Sequence, residues 1–166
     1  GGNIAIPNDA TNQGRALLLL QSAGLIKLND GGSPLSTPAD IDASASKVKV
    51  TPVDAAQTVT SLPSVDGAVI NNNFANDAGI DPKAALFADS AKSDNAAPYI
   101  NVFAARPEDK NNETRLKAIK IWHDPEVAKA VLKDSNNSAV LVKDRSQAEL
   151  QHITDGLQAD IKKARK

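Results

Sequence analysis

The sequence predicts an α/β fold with a largely parallel sheet, and three observations support this prediction. Short apolar strands alternate with helical segments, which is the order in which parallel sheets are built. The first strand, at residues 4–6, leads through a polar turn directly into an apolar helix. Polar side chains, mostly asparagine, follow or lie within three of the predicted strands. Since the carboxyl ends of parallel strands meet at one edge of a sheet, a binding crevice is expected there.

The first strand and the first helix form the unit around which the rest of the chain is organised. A turn at residues 7–9 ends the strand. Thr11 and Asn12 are both favourable N-cap residues for a helix that is predicted over residues 12–23. Gly14 lies near the start of this helix and allows another segment to approach its backbone closely.

The remaining elements follow from apolar periodicity and from the positions of glycine, proline and asparagine. Gly24 is suited to a left-handed C-cap after the first helix. Strands are expected at residues 47–53, 67–70, 99–105 and 139–142. Short helices are expected at residues 37–43, 55–62, 74–78 and 81–86, and a loop at residues 88–98. A long amphipathic pattern from residue 113 is split into two helices at Asp124-Pro125, and a last helix covers residues 147–161.

The composition excludes several classes of function. The chain of 166 residues has a net charge of −1 and 3% aromatic residues, so it offers neither a basic field nor a stacking platform for nucleic acid. The absence of cysteine excludes disulfides, thiol nucleophiles and cysteine metal sites. His123 and His152 lie on separate helical segments without metal-ligand spacing, so neither a metal nor a cofactor is expected.

The start of the sequence suggests a piece of a larger protein. The chain contains no methionine and begins at Gly1, immediately before a strand that has the character of an internal one. No signal peptide or long apolar run is present. We therefore expect either a fragment of a longer chain or a mature chain whose front part is missing.

Motifs for catalysis are also absent from the sequence. It contains no nucleophile elbow, Walker loop, dinucleotide fingerprint or pair of catalytic carboxylates. Asp9 is interpreted as a turn and capping acid rather than as a general base. A binding protein is therefore favoured over an enzyme.

Arg15 is the first candidate for a binding residue. It follows the predicted helix start by about one turn, where free backbone N–H groups and the positive helix end attract an anion. Its planar guanidinium can meet both oxygens of a carboxylate, which a lysine cannot do. This arrangement predicts a receptor for a carboxylate or another small anion. A solvated helix charge is the alternative reading of the same spacing.

Asparagine side chains supply the other candidates. Asn8 and Asp9 follow the first strand, residues 71–73 follow the strand at 67–70, and Asn101 lies within the strand predicted at 99–105. Neutral amides beside one arginine suit a zwitterion, because the arginine neutralises a carboxylate and amide oxygens accept from an ammonium group. The alternative is that these asparagines only cap helices and form turns. Asparagine is unfavourable within a strand, so the presence of Asn101 in the predicted strand needs another explanation, such as a binding role.

Three segments carry a resemblance to a known family. In order, they read IAIPNDATNQGRALLLLQSAGLIKL, VTPVDAAQTVTSLPSVDGAVINNNFANDAGI and APYINVFAARPEDKNNE. Their content, order and spacing resemble the methionine-binding lipoproteins of bacterial ABC importers, the NLPA lipoprotein family. The resemblance covers about residues 3–142. It implies a type II periplasmic-binding-protein fold, in which the ligand lies in a cleft between two lobes.

The resemblance also implies roles for individual residues. Arg15 would pair with the ligand carboxylate, and Asn12 would hydrogen-bond the ligand near it. Asn71 and Asn101 would hold the backbone amine and carboxylate, with Asn73 as a further ligand-binding candidate. The chain departs from the family at Asn72, Asn73 and Phe74, where Gly and then Asn-Tyr are usual.

The resemblance further implies how the chain is divided. Residues 1–100 would form the second, ligand-cleft lobe, a three-layer sandwich with hinge strands. Residues 101–142 would be a returning hinge strand and helices that normally pack on the first lobe, which is incomplete here and supplies the aromatic pocket for the thioether. Residues 143–166 would be a helical extension beyond the usual family end.

The function implied by the resemblance is delivery of methionine, or a related amino acid, to the permease and ATPase complex of an ABC importer. No nucleic acid is expected as a partner. The location would be the cell surface or periplasm, with membrane attachment only through an N-terminal lipid anchor outside this sequence. The alternatives are a binding protein for another amino acid or a small peptide, a small phosphate-binding α/β domain or enzyme, and a structural fragment without activity.

Overall fold

The computed structural model describes residues 1–90 and 94–164. The chain divides into two compact units, Gly1–Asp89 and Ser90–Lys166. The candidate residues Asn12, Arg15, Asn71 and Asn73 belong to the first unit, and Asn101 belongs to the second.

The first unit is built on a sheet of three parallel strands. They are β1 (Asn3–Pro7), β2 (Lys49–Val53) and β3 (Gly67–Ala68), arranged in the order β2-β1-β3. The register pairs Ile4 with Val50 on one side and with Gly67 on the other. The prediction of an α/β fold with a parallel sheet is therefore confirmed.

Helix α1 (Asn12–Ser22) contributes three of the six residues of the buried core beside this sheet. Its small and branched side chains pack with the central strand and with the segment that follows the helix. The buried core consists of Ile6, Ala16, Leu17, Leu20, Ile26 and Leu28. Complete burial of a leucine or isoleucine contributes about 1.5–3 kcal/mol, so these contacts fix the helix on the strand.

Two glycines have the roles that the sequence predicts. A Cβ on Gly14 would lie 2.1 Å from the carbonyl oxygen of Pro34, so only glycine allows this segment to cross the helix so closely. Gly24 follows α1 with a φ of +68°, a left-handed conformation that glycine adopts without steric cost.

The other elements of the first unit are short. Helix α2 (Thr58–Ser61) lies between 3-10 turns at Ala55–Gln57 and Leu62–Ser64, and helix α3 (Asn72–Asp77) follows β3. Further 3-10 turns occur at Asn29–Gly31, Pro38–Asp40 and Pro82–Ala84. The helices predicted at residues 37–43 and 81–86 are thus single 3-10 turns.

The second unit contains three longer helices: α4 (Glu113–Ile121), α5 (Pro125–Asp134) and α6 (Gln147–Ala164). The predicted break between α4 and α5 is confirmed. The side chain of Asp124 accepts a hydrogen bond from the backbone N–H of Glu126, and Pro125 occupies the first turn of α5.

The prediction of strands at residues 99–105 and 139–142 is wrong. Asp94–Tyr99 forms a 3-10 helix, while residues 100–106 and 139–143 have no regular secondary structure. A strand requires a hydrogen-bonded neighbour, and no described residue pairs with either segment. Several of their apolar side chains are exposed, including Val102, Phe103 and Val140.

The loop predicted at residues 88–98 is helical in part, because the 3-10 helix begins at Asp94. Residues 91–93 of this prediction lie outside the described residues.

Candidate functional site

The carboxyl edge of the sheet brings together three of the polar side chains that the sequence singles out. Asp9 follows the end of β1, and Asn12 is the first residue of α1. Asn71 lies just beyond β3, at the position before α3. The parallel order of β1 and β3 puts these residues at the same edge, as predicted.

These three residues form a continuous chain of hydrogen bonds, which we call the amide relay. The side-chain nitrogen of Asn71 donates to the side-chain oxygen of Asn12 at 2.8 Å. The side-chain nitrogen of Asn12 donates in turn to both carboxylate oxygens of Asp9, each at 3.0 Å. The side-chain oxygen of Asn71 is buried and has no hydrogen-bond partner among the described residues.

Asn71 does not act as a helix cap, although it occupies the N-cap position of α3. An asparagine at this position usually accepts a hydrogen bond from a backbone N–H of the first turn. No such bond is made here, and the side chain turns to Asn12 instead. The reading of Asn71 as a mere capping residue is therefore not supported.

The start of α1 differs from the prediction. Thr11 is the N-cap residue, but its side chain does not cap the helix. The backbone N–H groups of Thr11 and Asn12 instead donate to Asp9 Oδ1 at 3.2 and 3.0 Å. The expected set of free N–H groups is therefore already occupied by a carboxylate of the chain itself, and the role of Asp9 as a capping acid is confirmed.

Hydrogen bonding also changes the acidity of Asp9. Partial burial alone raises the pKa of this carboxyl group. The hydrogen bonds from the Asn12 side chain and from the N–H groups of Asn12 and Thr11 outweigh this effect, and the pKa is lowered from its ordinary value. Asp9 is accordingly a carboxylate at neutral pH.

Arg15 is held by an acidic residue far away in the sequence. Its Nε donates to Asp89 Oδ2 at 2.6 Å, across a separation of 74 residues. The side chains are 37% and 33% exposed, so the ion pair is partly shielded from water. Arg15 is thus not a solvated helix charge. The sequence does not identify Asp89 as this partner, since nothing in the composition of the surrounding loop signals a partner for a helix residue.

The two remaining candidates, Asn73 and Asn101, are both exposed. Asn73 is exposed in the first turn of α3. Asn101 is exposed in the second unit, in a segment that is not a strand. Their roles in ligand binding stay predictions. Among residues 1–90 and 94–164, no group of three or more histidine or acidic side chains could hold a metal ion.

Comparison with known proteins identifies the family. The sequence profile described as NlpA lipoprotein matches residues 1–142. The chain belongs to the NlpA lipoprotein family. The resemblance inferred from the three sequence segments is thereby confirmed, and its limits of about 3–142 agree with the match.

Curated relatives of this NlpA family chain include the D-methionine-binding lipoprotein MetQ of Salmonella typhi. The identity is 38% over 143 residues, which cover 84% of this chain and 51% of that protein. The chain thus spans about half the length of the curated relatives it matches.

Solved structures agree with the fold of the chain. Protein PG110 from Staphylococcus aureus is 40% identical with a TM-score of 0.79, over 95% of this chain and 62% of that one. A nutrient binding protein from Burkholderia cenocepacia bound to methionine is 38% identical with a TM-score of 0.74, over 86% of this chain and 59% of that one. The Burkholderia cenocepacia protein is described as a binding protein, and so is a neighbour from Streptococcus pneumoniae, the substrate binding protein of a methionine transporter.

Across the part of this NlpA family chain that the structure describes, no helix has both the length and the apolar character needed to span a membrane.

Proposed function

We propose that the chain is part of the substrate-binding component of an ABC importer, and that its first unit binds the amino-acid head group of methionine. The observation that carries this proposal is the buried side-chain oxygen of Asn71, which has no hydrogen-bond partner among the described residues. A buried acceptor of this kind is costly unless a donor reaches it. An ammonium group is such a donor.

Arg15 supplies the complementary charge. It lies three residues after Asn12 in α1, and residues with this spacing share one helix face. The ion pair with Asp89, in which the guanidinium lies 2.6 Å from a carboxylate oxygen, supports this role. A ligand with an ammonium group for Asn71 and a carboxylate for Arg15 is an amino acid.

The identity of the amino acid and of its partners is inferred from relatives. Several relatives are named methionine-binding lipoproteins, and one solved neighbour is described as bound to methionine. We propose methionine as the ligand, an importer permease and ATPase as the partners, and a lipid-anchored location at the cell surface or in the periplasm. Another amino acid or a small peptide is the alternative ligand.

Isothermal titration calorimetry with Arg15→Ala tests the proposed role of the arginine. Wild type is expected to bind methionine, and the variant is expected to lose at least about thirtyfold in affinity, since removal of one partner of a shielded charge pair costs about 2–5 kcal/mol. D- and L-methionine are titrated separately.

Arg115→Ala is the matched control, because Arg115 also forms an ion pair with an aspartate, at 2.7 Å from Asp109. This control is expected to bind methionine like wild type, and circular dichroism verifies that both variants are folded. Methionine binding that Arg15→Ala leaves unchanged would refute the proposed role of Arg15.

A phosphate site at the start of α1 is disfavoured by the geometry. Asp9 takes the N–H groups of Thr11 and Asn12 that would bind a phosphate, and its negative charge repels one. Inorganic phosphate is therefore expected not to compete with methionine in the same titration. Displacement of methionine by millimolar phosphate would favour the anion-binding alternative.

A further inference from the structure

We propose that Asp9 is a positioning residue that sets the direction of the amide relay and so makes Asn71 present an acceptor, rather than a donor, to the ligand. This inference rests on the proposed function, because it specifies how the same site distinguishes an ammonium group from other substituents.

The argument begins with the chemistry of the two side-chain types. A carboxylate can only accept hydrogen bonds, whereas an amide carries an acceptor at one end and two donors at the other. An amide that contacts a carboxylate must therefore turn its nitrogen toward it. An amide between two other amides has no such constraint and can rotate by half a turn at little cost.

Asp9 imposes this constraint on Asn12. Both carboxylate oxygens lie 3.0 Å from the Asn12 side-chain nitrogen, and a reversed amide would bring its oxygen against two negatively charged oxygens. The side-chain oxygen of Asn12 must therefore face the other way, toward Asn71.

Asn12 passes the same constraint to Asn71. Its oxygen accepts from the Asn71 side-chain nitrogen at 2.8 Å, so the oxygen of Asn71 lies at the opposite end of that amide. That oxygen is buried and has no partner among the described residues. The end of the relay is accordingly an acceptor that an ammonium group satisfies and that a carbonyl oxygen would meet unfavourably.

The capping role of Asp9 does not require this effect, and the two can be separated. Asparagine is about as favourable a capping residue as aspartate. In Asp9→Asn, the new amide keeps an oxygen for the N–H groups of Thr11 and Asn12. Its nitrogen replaces the second carboxylate oxygen, 3.0 Å from the Asn12 side-chain nitrogen, so two donors face each other there. The Asn12 amide is therefore expected to turn its oxygen toward the new donor, and the Asn71 amide is expected to reverse with it.

Ligand discrimination provides the first test. Affinities for methionine and for its α-keto acid analogue, in which a keto oxygen replaces the ammonium group, are measured by calorimetry. Wild type is expected to prefer methionine by at least about tenfold, the usual scale for a hydrogen bond to a charged group. Asp9→Asn is expected to reduce this ratio by at least about tenfold.

Asp54→Asn is the matched control. Asp54 follows β2 at the same sheet edge and caps a helical turn through the N–H of Ala56 at 2.9 Å, but no hydrogen bond links it to the relay. Its replacement removes the same charge and is expected to leave the ratio at the wild-type value. An unchanged ratio in Asp9→Asn, or an equal reduction in Asp54→Asn, would overturn the proposal.

Nuclear magnetic resonance reads the direction of the relay without a ligand, so it decides the inference even if methionine does not bind. Scalar coupling across the hydrogen bond is expected from the Asn71 nitrogen to the side-chain carbonyl carbon of Asn12 in wild type. In Asp9→Asn, coupling is expected from the Asn12 nitrogen to Asn71.

The double variant Asp9→Asn/Asn12→Asp places the carboxylate at the next position and is expected to restore donation by Asn71. Unreversed coupling in the folded single variant, or failure of the double variant to restore donation, would overturn the proposal. Absence of methionine binding together with the expected couplings would refute the proposed function alone.

Discussion

At the scale of single residues, the ion pair of Arg15 gives the clearest indication of ligand chemistry. The guanidinium forms an ion pair with the carboxylate of Asp89, which lies 74 residues later in the sequence. Each of the two side chains is about one-third exposed. Because solvent still screens this partly exposed ion pair, it contributes no more than about 1 kcal/mol to the stability of the first unit. A ligand carboxylate can therefore displace Asp89 from Arg15, or bind beside it, at a small cost in free energy. This small cost is consistent with a binding role for Arg15.

Asp9 should make the stability of the first unit depend on pH. Its pKa is lowered in the folded chain, so the charged form is favoured there. The ionised carboxylate of Asp9 stabilises the folded chain at any pH above the pKa that Asp9 has in the unfolded chain, which is about 4. This stabilisation is lost as the pH falls through the lower pKa of the folded chain. The free energy of unfolding of wild type should therefore exceed that of Asp9→Asn at about pH 6, and the difference should shrink by about pH 3.

Urea unfolding followed by circular dichroism at both pH values measures this difference. Asp42→Ala serves as a second variant for the same measurement, because the pKa of Asp42 is also lowered, chiefly by its hydrogen bond with Ser44. The difference in unfolding free energy between wild type and Asp42→Ala is likewise expected to shrink at about pH 3. A difference between wild type and Asp9→Asn that is the same at both pH values would show that ionisation of Asp9 does not contribute.

At the scale of elements, the Pro34 segment crosses α1 in close backbone contact at Gly14. Alanine is normally the better helix residue, by about 1 kcal/mol over glycine. At Gly14, however, the added Cβ would lie 2.1 Å from a backbone oxygen that cannot move aside as a side chain would. Gly14→Ala is therefore expected to lower the free energy of unfolding by about 1–3 kcal/mol.

Gly156→Ala provides the matched control for this prediction. Gly156 lies inside α6, and a Cβ there would have no atom within 4 Å apart from its local helix neighbours. This replacement is expected to stabilise the helix by about 0.5–1 kcal/mol. Thermal unfolding of both variants measures the contrast, and a Gly14→Ala variant as stable as Gly156→Ala would contradict the tight crossing.

The elements that could be predicted from the sequence are those whose signals are local. The sequence of the β1–α1 unit predicts an apolar strand, a polar turn and a helix, with Gly14 at a close approach and Gly24 after the helix end. The structure contains each of these features. The segment at residues 99–105 has an equally strong strand pattern, but a strand also needs a neighbour, which a local pattern does not report.

The candidate site follows the same rule. Asn12 and Asn71 could be singled out because the carboxyl ends of parallel strands converge. The hydrogen bond between them depends on side-chain rotamers that only the folded structure defines. The Asp89 partner of Arg15 could not be predicted, since pairing over 74 residues leaves no periodic signal in the sequence.

At the scale of the whole molecule, large exposed apolar side chains occur in both units, and seven of the eleven among the described residues lie in the second. Val102, Phe103, Ile121, Trp122 and Val140 are each 44–62% exposed. The rings of Phe103 and Trp122 meet edge to face, with centroids 5.9 Å apart. An exposed pair of aromatic rings such as Phe103 and Trp122 is typical of surface that another chain segment or subunit covers.

The last prediction concerns how much of the binding energy the chain holds by itself. The family resemblance implies that the first lobe, and not the second lobe formed by residues 1–100, supplies the pocket for the thioether. The chain spans about half the length of its curated relatives. Loss of burial for two methylene-sized groups would cost about 1.6 kcal/mol, which is more than tenfold in affinity. The 166-residue chain should therefore bind methionine at least about tenfold more weakly than the Burkholderia cenocepacia protein that is described as bound to methionine.

Calorimetry on both proteins under identical conditions measures this ratio, and analytical ultracentrifugation of the 166-residue chain accompanies it. The titration is made at a concentration where the chain sediments as a monomer, because self-association would cover the exposed apolar side chains and could complete a pocket. Glycine, which has the same head group without a side chain, should bind both proteins with similar affinity if the first unit alone holds the head group. A monomeric chain that binds methionine as tightly as the longer protein would show that these 166 residues already contain the complete pocket.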